Sequence, residues 1–335
     1  MNQEQCGDHL AHPEGTAPLE CRVHDHHHEG SGSVDLGAGA GLSVWATGQR
    51  QARQQRGDRY SRLSVEHPAK MLPEIARHAI TAYTRPGQVV LDPMCGIGTT
   101  LVEAAHLGRR GVGIELEPKW ASIARLNLET ATVQGATGLG QVHTGEGAAT
   151  AAGLASTSLA GQVALVLTSP PYGSMTHGQV KSRRDGARAV EKHAHRYSRD
   201  RDRRAANLAY QRPEKLTDSF TRIMAACRTL LAPGGVVVVT TRPYRKNGEL
   251  IDFPGQVAEA GRRAGLVQID RCAALLCALR DGEVVSRTSF FQLIETRRLR
   301  KGDWPVHVIQ HEDVLVFADP APYYQQHTSG EGQAA

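Results

Sequence analysis

The fold is decided by residues 89–100, which read Val-Val-Leu-Asp-Pro-Met-Cys-Gly-Ile-Gly-Thr-Thr. The first four residues predict a short buried strand, the two glycines predict a tight turn, and the threonines begin a predicted helix. Glycines at the carboxyl end of a strand let the backbone approach a ligand closely. The stretch therefore predicts a ligand-binding turn at the start of an α/β domain.

The alternation of apolar strands and helices continues on both sides of this turn. Strands are predicted at residues 89–92, 111–115, 141–144, 163–168, 236–241, 266–276 and 314–317, and helices at residues 71–83, 99–107, 216–231 and 255–264, with a further helix from Pro118. The run 163–168 is almost entirely apolar, which is typical of a parallel strand buried on both faces. The pattern predicts a doubly wound α/β fold with a mostly parallel sheet.

The glycine turn excludes two familiar nucleotide sites. It lacks the G-x-x-x-x-G-K-[ST] pattern of a phosphate-binding loop, and Leu101 occupies the place of the third glycine in the dinucleotide fingerprint. Glu115 ends the next predicted strand, where a carboxylate can accept hydrogen bonds from both ribose hydroxyls. We therefore expect a nucleoside ligand that has no pyrophosphate.

A second turn, Ser169-Pro170-Pro171-Tyr172, follows the strand at residues 163–168. Two prolines stiffen the backbone and bring no N–H donors, so their carbonyls act as acceptors beside a hydroxyl and an aromatic ring. Such a turn suits a planar amine, which could donate to Ser169 and to the Pro170 carbonyl while Tyr172 stacks on its ring. Taken alone, the turn is equally well explained as a structural loop.

The charge is distributed unevenly along the chain. Residues 1–45 carry a formal charge of −6, residues 46–62 carry +4, residues 173–216 carry +7, and the remainder is neutral. Two basic segments on a neutral body favour a polyanionic partner such as a nucleic acid. An exposed helix face remains an equal explanation for the first segment, in which an arginine recurs at every third position from Arg50 to Arg62.

Other classes of protein are excluded by what the sequence lacks. No apolar run approaches the ~18 residues of a membrane span, and the acidic, His-rich start is unlike a signal peptide. Six cysteines form no CxxC pair, which favours a reducing cytoplasm. Residues 24–29 could chelate a metal, although a solvated low-complexity tract is the favoured interpretation and no metal site is predicted.

Two motifs together give a resemblance to a known family. The chain resembles the S-adenosylmethionine-dependent amino-methyltransferases, the DNA methylases that modify the exocyclic amine of cytosine or adenine. The resemblance implies a Rossmann-like methyltransferase fold of seven strands, mostly parallel, with an antiparallel C-terminal strand. It implies cofactor contacts at His67, Pro68, Lys70, Asp92, Pro93, Met94, Cys95, Gly96, Gly98, Thr99, Thr100, Glu115 and Glu146, and a catalytic turn at Ser169, Pro170, Pro171 and Tyr172.

The resemblance also implies a substrate and an organisation of the chain. A serine in the first position of the catalytic turn is commoner among enzymes acting on cytosine N4, so that base is favoured. The alternatives are adenine N6, guanine N2 of an RNA such as tRNA, and a catalytically silent nucleic-acid-binding protein; a restriction endonuclease is a candidate partner. The expected segments are a disordered tail 1–45, a basic helical arm 46–66, a methyltransferase domain 67–320 with a basic insertion 173–216 and a variable insertion 278–311, and a disordered tail 321–335.

The basic insertion is expected to contact the phosphates of the nucleic acid. It begins directly after the catalytic turn, a position that solubility alone does not explain, although a disordered solvated loop is the other interpretation. The expected contacts are Arg183, Arg184, Arg196, Arg199, Arg201, Arg203 and Arg204. A second candidate for nucleic-acid contact is the stretch 278–311, which contains Trp304 and several basic residues.

Overall fold

The structure is a computed structural model that describes residues 41–171, 179–181, 191–193, 200–246, 248–287 and 290–321. Its strands are β1 (Val44–Trp45), β2 (Val89–Asp92), β3 (Arg110–Glu115), β4 (Leu139–Thr144), β5 (Val163–Thr168), β6 (Gln179–Lys181), β7 (Glu191–His193), β8 (Leu231–Thr241), β9 (Tyr244–Lys246), β10 (Glu249–Ile251), β11 (Val267–Leu275), β12 (Ala278–Arg280), β13 (Glu283–Val285) and β14 (His311–Ala318).

The helices flank these strands along the chain. They are α1 (Ala52–Arg56), α2 (Pro73–Tyr83), α3 (Thr99–His106), α4 (Pro118–Val133), α5 (Gly147–Leu154), α6 (Arg201–Ala206), α7 (Pro213–Arg228), α8 (Phe253–Arg263) and α9 (Phe290–Lys301), with 3-10 helices at Arg62–Glu66 and Leu208–Tyr210. Within these described ranges, no helix is both long enough and apolar enough to cross a membrane.

One large sheet organises the molecule. Its strand order is β1-β11-β14-β8-β5-β2-β3-β4, and three two-stranded hairpins lie outside it. Its strand pairs are parallel except where β14 runs antiparallel to its neighbours β8 and β11. The predicted doubly wound, mostly parallel sheet with an antiparallel C-terminal strand is therefore confirmed.

Helices cover both faces of the sheet because its central strands are apolar on both sides. Val89 and Leu91 of β2 pack on one face in a cluster with Phe220 of α7, whereas Val90 packs on the other face with Ile75 of α2. Burying a side chain of this size stabilises the fold by about 1.5–3 kcal/mol. This two-sided burial explains why the predicted and observed limits of β2 and β5 agree.

The sheet has eight strands, one more than the family resemblance implies. The additional strand, β1, pairs with β11 in parallel, with Val44 opposite Ala273. Trp45 is only 3% exposed, and its ring stacks on His78 with 4.2 Å between the ring centroids. Burial of the indole holds residues 44 and 45 in the sheet, so the expected tail boundary at residue 45 is placed too late; residues 1–40 lie outside the described part of the chain.

The predicted basic arm is also different in the structure. Residues 46–66 contain the short helix α1 and a 3-10 helix in place of one continuous helix. Arg59 pairs with the fully buried Glu103 at 2.9 Å, and the hydroxyl of Tyr60 donates to the same carboxylate at 2.7 Å. A buried carboxylate requires such partners, so part of this arginine series points into the protein.

The chain crosses the sheet in a way that positions the site. From β2 it proceeds outward to β3 and β4, and then returns to β5 on the other side of β2. In doubly wound sheets, ligands bind in the crevice outside the carboxyl ends of the strands at this reversal. Asp92 ends β2 and Thr168 ends β5, so both motifs singled out in the sequence begin at this crevice.

Candidate active site

A cavity of about 1110 Å³, counting its open mouth, lies at the carboxyl ends of the central strands. It brings together most of the predicted cofactor residues: His67, Lys70, Asp92, Pro93, Met94, Cys95, Gly96, Thr99, Thr100, Glu115 and Glu146. Pro68 and Gly98 do not line it. Ser169, Pro170 and Pro171 line the same cavity, whereas Tyr172 lies outside the described residues.

Asp92 fixes the glycine turn through three hydrogen bonds. Its Oδ2 accepts from the hydroxyl of Thr100 at 2.7 Å, and its Oδ1 accepts from the hydroxyl of Thr168 at 2.9 Å and the N–H of Met94 at 3.1 Å. Burial raises the pKa of Asp92 to about 6, although these three bonds favour the charged form. The bond from Thr168 ties the end of β5 to the end of β2.

Glu115 joins the end of β3 to the same turn. Its Oε2 accepts from the N–H of Gly96 and its Oε1 accepts from the N–H of Glu117, each at 2.8 Å. Burial raises the pKa of Glu115 to about 7, and the two backbone donors oppose this rise. Each carboxylate oxygen has more than one acceptor site, so Glu115 can hold the turn and still accept from a ligand in the cavity.

The backbone of the turn requires glycine at two positions. Gly96 has a φ of +54° and Gly98 a φ of +81°, in the left-handed region that other residues rarely adopt. A Cβ on Gly96 would lie 3.0 Å from Nε2 of His67. The turn therefore brings the backbone close to His67 and leaves the cavity open above it.

The wall opposite Glu115 comes from the segment before α2. Burial, together with the charge of Lys70, lowers the pKa of His67 to about 3, so this imidazole is neutral at physiological pH. Burial and the charge of Arg56 lower the pKa of Lys70 to about 8, and its Nζ donates to the carbonyl of His67 at 2.7 Å. Lys70 therefore brings a cation to the cavity that titrates just above neutral pH.

Arg56 braces this wall from behind. Its guanidinium donates to the carbonyl of Met71 at 2.6 Å and to the hydroxyl of Thr99 at 3.3 Å. It also lies 5.0 Å above the ring of Tyr60. The sequence predicted this arginine as part of a basic surface, but in the structure it connects α1 to the start of α3.

Two further predicted residues have defined local roles. Glu146 is the N-cap of α5, and its Oε2 accepts from the N–H of Ala149 at 2.7 Å. Cys95 is buried, and burial raises the pKa of its thiol well above the usual range, so it is not a nucleophile. Cys272 and Cys277 are also buried free thiols.

The proline turn has more hydrogen-bond acceptors than donors. Pro170 is buried and Pro171 half-buried, and neither has an N–H. Ser169 therefore provides the hydroxyl of a wall that otherwise presents carbonyl oxygens. Such a wall favours a ligand that donates hydrogen bonds.

The cavity also has lining residues that the sequence did not identify. They include Met71, Leu116, Asn207, Leu208, Ile223 and Glu312. Asn207 follows α6, and its amide donates to Glu117 at 3.3 Å, so the end of the basic insertion returns to the cavity. Glu312 comes from β14, which begins with the polar residues His311, Glu312 and Asp313 before an apolar run; two adjacent acids at the start of the strand were the available signal.

The predicted nucleic-acid contacts fall mostly beyond what the structure describes. Arg183, Arg184, Arg196 and Arg199 lie outside the described residues, and Arg201 begins α6. Arg203 lies 3.7 Å from Asp200, and the guanidinium of Arg204 lies 5.3 Å above the ring of Tyr210. The described ranges contain no group of three or more His, Cys, Asp or Glu that could hold a metal ion.

A match to a known family covers the part of the chain that contains the glycine turn and Glu115. Residues 40–126 match the family model for N6/N4 methyltransferases, described as DNA methylase. Over 64 residues, or 19% of this chain, the sequence is 41% identical to the tRNA (guanine(10)-N2)-dimethyltransferase of Methanocaldococcus jannaschii and 42% identical to the Type II methyltransferase M2.DpnII of Streptococcus pneumoniae. These alignments span 18% and 24% of the two relatives.

A similar solved structure is that of TrmN from Thermus thermophilus. The two chains are 17% identical, with a TM-score of 0.43, over 79% of this chain and 53% of the other. The chain thus spans about half the length of that protein, and about a fifth of the length of the curated relatives is aligned.

The sheet order and the cavity at the carboxyl ends of its strands agree with the Rossmann-like fold that the resemblance implies. More narrowly, residues 40–126 are similar to the DNA methylases of the N6/N4 family, and shorter stretches are similar to Type II methyltransferases. The residues present fit S-adenosylmethionine, the cofactor that the resemblance implies. Glu115 can accept from hydroxyls, the cation of Lys70 can pair with a carboxylate, and the glycine turn places its backbone at the cavity close to His67.

Proposed function

We propose that this protein methylates an exocyclic amine of a base in DNA, with cytosine N4 as the favoured target. One observation carries the proposal: the glycine turn and the Ser169-Pro170-Pro171 turn line a single cavity. The hydrogen bond from Thr168 to Asp92 connects the two turns directly. A cofactor and a target amine bound on these two walls would therefore meet.

The chain's own residues would divide the binding of the cofactor among them. Glu115 would accept from the ribose hydroxyls, and Glu146 would accept from the adenine amine through the oxygen that does not cap α5. Lys70 would pair with the carboxylate of the methionine portion. S-adenosylmethionine supplies an electrophilic methyl group when bound.

The proline turn would position the amine. Ser169 and the Pro170 carbonyl would accept its hydrogens, which directs the nitrogen lone pair toward the methyl carbon. On methyl transfer, in which the N–C bond would form as the S–C bond breaks, the nitrogen would release one proton. Because a serine hydroxyl is not a strong base at neutral pH, Ser169 positions the nitrogen and the proton passes to water.

The target base must leave its helix to reach this cavity. Flipping a paired base costs a few kcal/mol, and stacking on Tyr172 would recover about 1–3 kcal/mol of it. The basic insertion, including Arg183, Arg184, Arg196, Arg199, Arg201, Arg203 and Arg204, would hold the phosphates on either side. An entry route beside Asn207 is consistent with this, because the insertion ends at the cavity.

A structured RNA is the second candidate substrate. It is favoured by the match to a relative whose name gives guanine N2 of tRNA as its target. Adenine N6 in DNA is a further alternative, since the Type II relatives do not distinguish the two bases by name. If the protein acts on DNA, its proposed partner is a restriction endonuclease. The proposed location is the cytoplasm.

The test uses the full chain with labelled S-adenosylmethionine and separate pools of DNA and RNA. We expect label in DNA, recovered as N4-methylcytosine by mass spectrometry of the nucleosides. N2-methylguanine in RNA would replace the first proposal by the second, and no label in either pool would favour a silent binding protein. Tyr172→Ala is the matched variant, expected to bind the cofactor but to lose most turnover.

A further inference from the structure

Glu312 lies in the wall of the cavity, beside the proline turn. Because β14 is antiparallel to the other large strands, its first residues lie at the edge where β5 and β8 end. Asp313 is opposite Thr241 of β8, and Thr168 of β5 is opposite Val239 of the same strand. Glu312 therefore reaches the edge of the sheet on the side of the cavity lined by Ser169 and Pro170.

The charges around Glu312 are well defined. Arg242 follows β8 and attracts the charged form of Glu312, whereas the neighbouring Asp313 repels it. Asp313 itself pairs with Arg271 at 2.8 Å, and His311 lies 3.8 Å from Asp313. Burial raises the pKa of Glu312, whereas the charge of Arg242 and the hydroxyl of Thr240 oppose this rise.

The other acids of the cavity already have tasks in the protein. Asp92 and Glu115 hold the glycine turn, and Glu146 caps α5. These three lie on the cofactor side, whereas Glu312 lies on the opposite side with the proline turn. It is the acid that the cavity presents to a ligand on the target side, within the described residues.

We propose that Glu312 recognises the target base. In this role, which rests on the proposed function, the hydroxyl of a protonated carboxyl donates to the ring nitrogen beside the exocyclic amine, whose own hydrogens the proline turn accepts. Cytosine presents an amine beside an acceptor nitrogen, as adenine does. Guanine presents two donors at the corresponding positions, so a protonated Glu312 disfavours guanine N2.

The first test compares Glu312→Gln with Glu312→Ala in steady-state methylation of an oligonucleotide containing the methylated site. A glutamine amide places an acceptor beside a donor, as a protonated carboxyl does, so we expect it to keep kcat/KM within about 3-fold. The alanine variant should lose about 10-fold in kcat/KM, because one lost hydrogen bond to a buried group costs about 1–3 kcal/mol. Cofactor affinity and melting temperature serve as controls.

The second test leaves the protein unchanged. The target cytosine is replaced by 3-deazacytosine, whose ring has C–H where N3 was, opposite an abasic site so that base pairing does not differ. Wild type should lose about 10-fold in kcat/KM on this substrate, as expected for one lost hydrogen bond to a buried group. Glu312→Ala should show no further loss.

The outcomes separate this inference from the function on which it rests. Equal kcat/KM for wild type and Glu312→Ala, or no effect of 3-deazacytosine on wild type, overturns the role of Glu312 alone. Equal damage in Glu312→Gln and Glu312→Ala also overturns it, since a charged carboxylate is then required. Absence of methyl transfer by wild type to any DNA overturns the proposed function itself.

Discussion

The two sides of the cavity are built differently. On the cofactor side, Asp92 and Glu115 receive five hydrogen bonds from the protein's own backbone and hydroxyls, at 2.7–3.1 Å. On the target side, Ser169, Pro170 and Glu312 contribute acceptors and a carboxyl that can change its protonation. The cofactor side is organised before any ligand arrives, which reduces the entropy lost on binding.

This difference matches the demands of the two ligands. A cofactor has one structure, so a rigid wall suits it, whereas substrate choice depends on a few groups that discriminate between bases. The family match covers residues 40–126, which include Asp92 and Glu115 but end before Ser169 and Glu312. The part of the site that would decide the substrate is therefore the part that the family match does not reach.

The largest expected effect comes from Asp92→Ala. It leaves the hydroxyls of Thr100 and Thr168 and the N–H of Met94 without their acceptor. Each buried group left unsatisfied costs about 1–3 kcal/mol, so we expect the dissociation constant for S-adenosylmethionine to rise by at least about 100-fold. Isothermal titration calorimetry measures it.

Asp313→Ala is the matched control for this variant. Asp313 is also a partly buried acid with an arginine partner, Arg271, but it lies on β14 away from the glycine turn. It should lower the melting temperature while leaving cofactor affinity unchanged. If Asp92→Ala binds S-adenosylmethionine as tightly as wild type, Asp92 does not organise the cofactor side. If both variants lose the same affinity, the loss reflects impaired folding.

The second prediction concerns the pH dependence of cofactor affinity and tests Glu115 and Lys70 on the cofactor side of the cavity. Glu115 binds ribose hydroxyls best when charged, so cofactor affinity should rise as pH increases through its pKa of about 7. Lys70 attracts a carboxylate only while protonated, so affinity should fall above its pKa of about 8. The charged fraction of Glu115 rises about 10-fold between pH 6 and 8, but half of Lys70 is already neutral at pH 8, so affinity should rise about 5-fold over this interval.

Two variants test which residue causes each limb of the pH dependence of cofactor affinity. Glu115→Gln should flatten the acidic limb, and Lys70→Met should flatten the alkaline limb. Calorimetry in buffers of different ionisation enthalpy gives the protons exchanged on binding. A profile that keeps its acidic limb in Glu115→Gln would remove Glu115 from the ribose site.

The sequence predicted the cofactor side of the cavity well because the patterns that indicate it lie within short stretches of the chain. The apolar runs of β2 and β5 fix where the strands end, and the residues that follow each strand then reach the cavity. Glu312 was missed because its place at the cavity depends on the register of β14 against β8, which the sequence does not indicate even though the resemblance implied an antiparallel C-terminal strand. Arg59 was misplaced because arginine spacing does not indicate that Glu103 of α3, about forty residues further along the chain, is buried.

Longer-range pairing also shifted an element boundary. The helix predicted to end at residue 231 ends at Arg228, because Leu231 already pairs with Val163 at the start of β8. Pairing with a distant strand overrides the local helical pattern at such positions. The same reason explains β1, whose two residues have a partner more than 200 residues away.

The third prediction tests the connection between the two sides. Thr168→Val removes one of three donors to Asp92 and keeps the size and shape of the side chain. Because Thr168 directly precedes Ser169, we expect kcat to fall about 5-fold while cofactor affinity changes by less than about 2-fold, as for one hydrogen bond of about 1 kcal/mol. Stopped-flow single turnover separates chemistry from product release.

Thr100→Val is the matched comparison, since it removes a bond to the same carboxylate from the cofactor side. It should weaken cofactor binding more than it slows methyl transfer. If the two variants have the same ratio of kcat loss to affinity loss, the bond from Thr168 does not couple the sides.

The smallest expected effect concerns the route by which the nucleic acid enters. Arg203 is 43% exposed in its side chain and pairs with Asp200 at 3.7 Å, a contact that salt readily screens. Arg203→Ala should weaken DNA binding by about 2- to 5-fold and lower the slope of log affinity against log salt by about 1, as for one lost phosphate contact. Fluorescence anisotropy at several salt concentrations measures both. Arg262→Ala is the control, since Arg262 is 73% exposed and paired with Glu259 on α8. If this variant changes the slope of log affinity against log salt as much as Arg203→Ala does, the basic insertion contacts the nucleic acid no more closely than the rest of the surface.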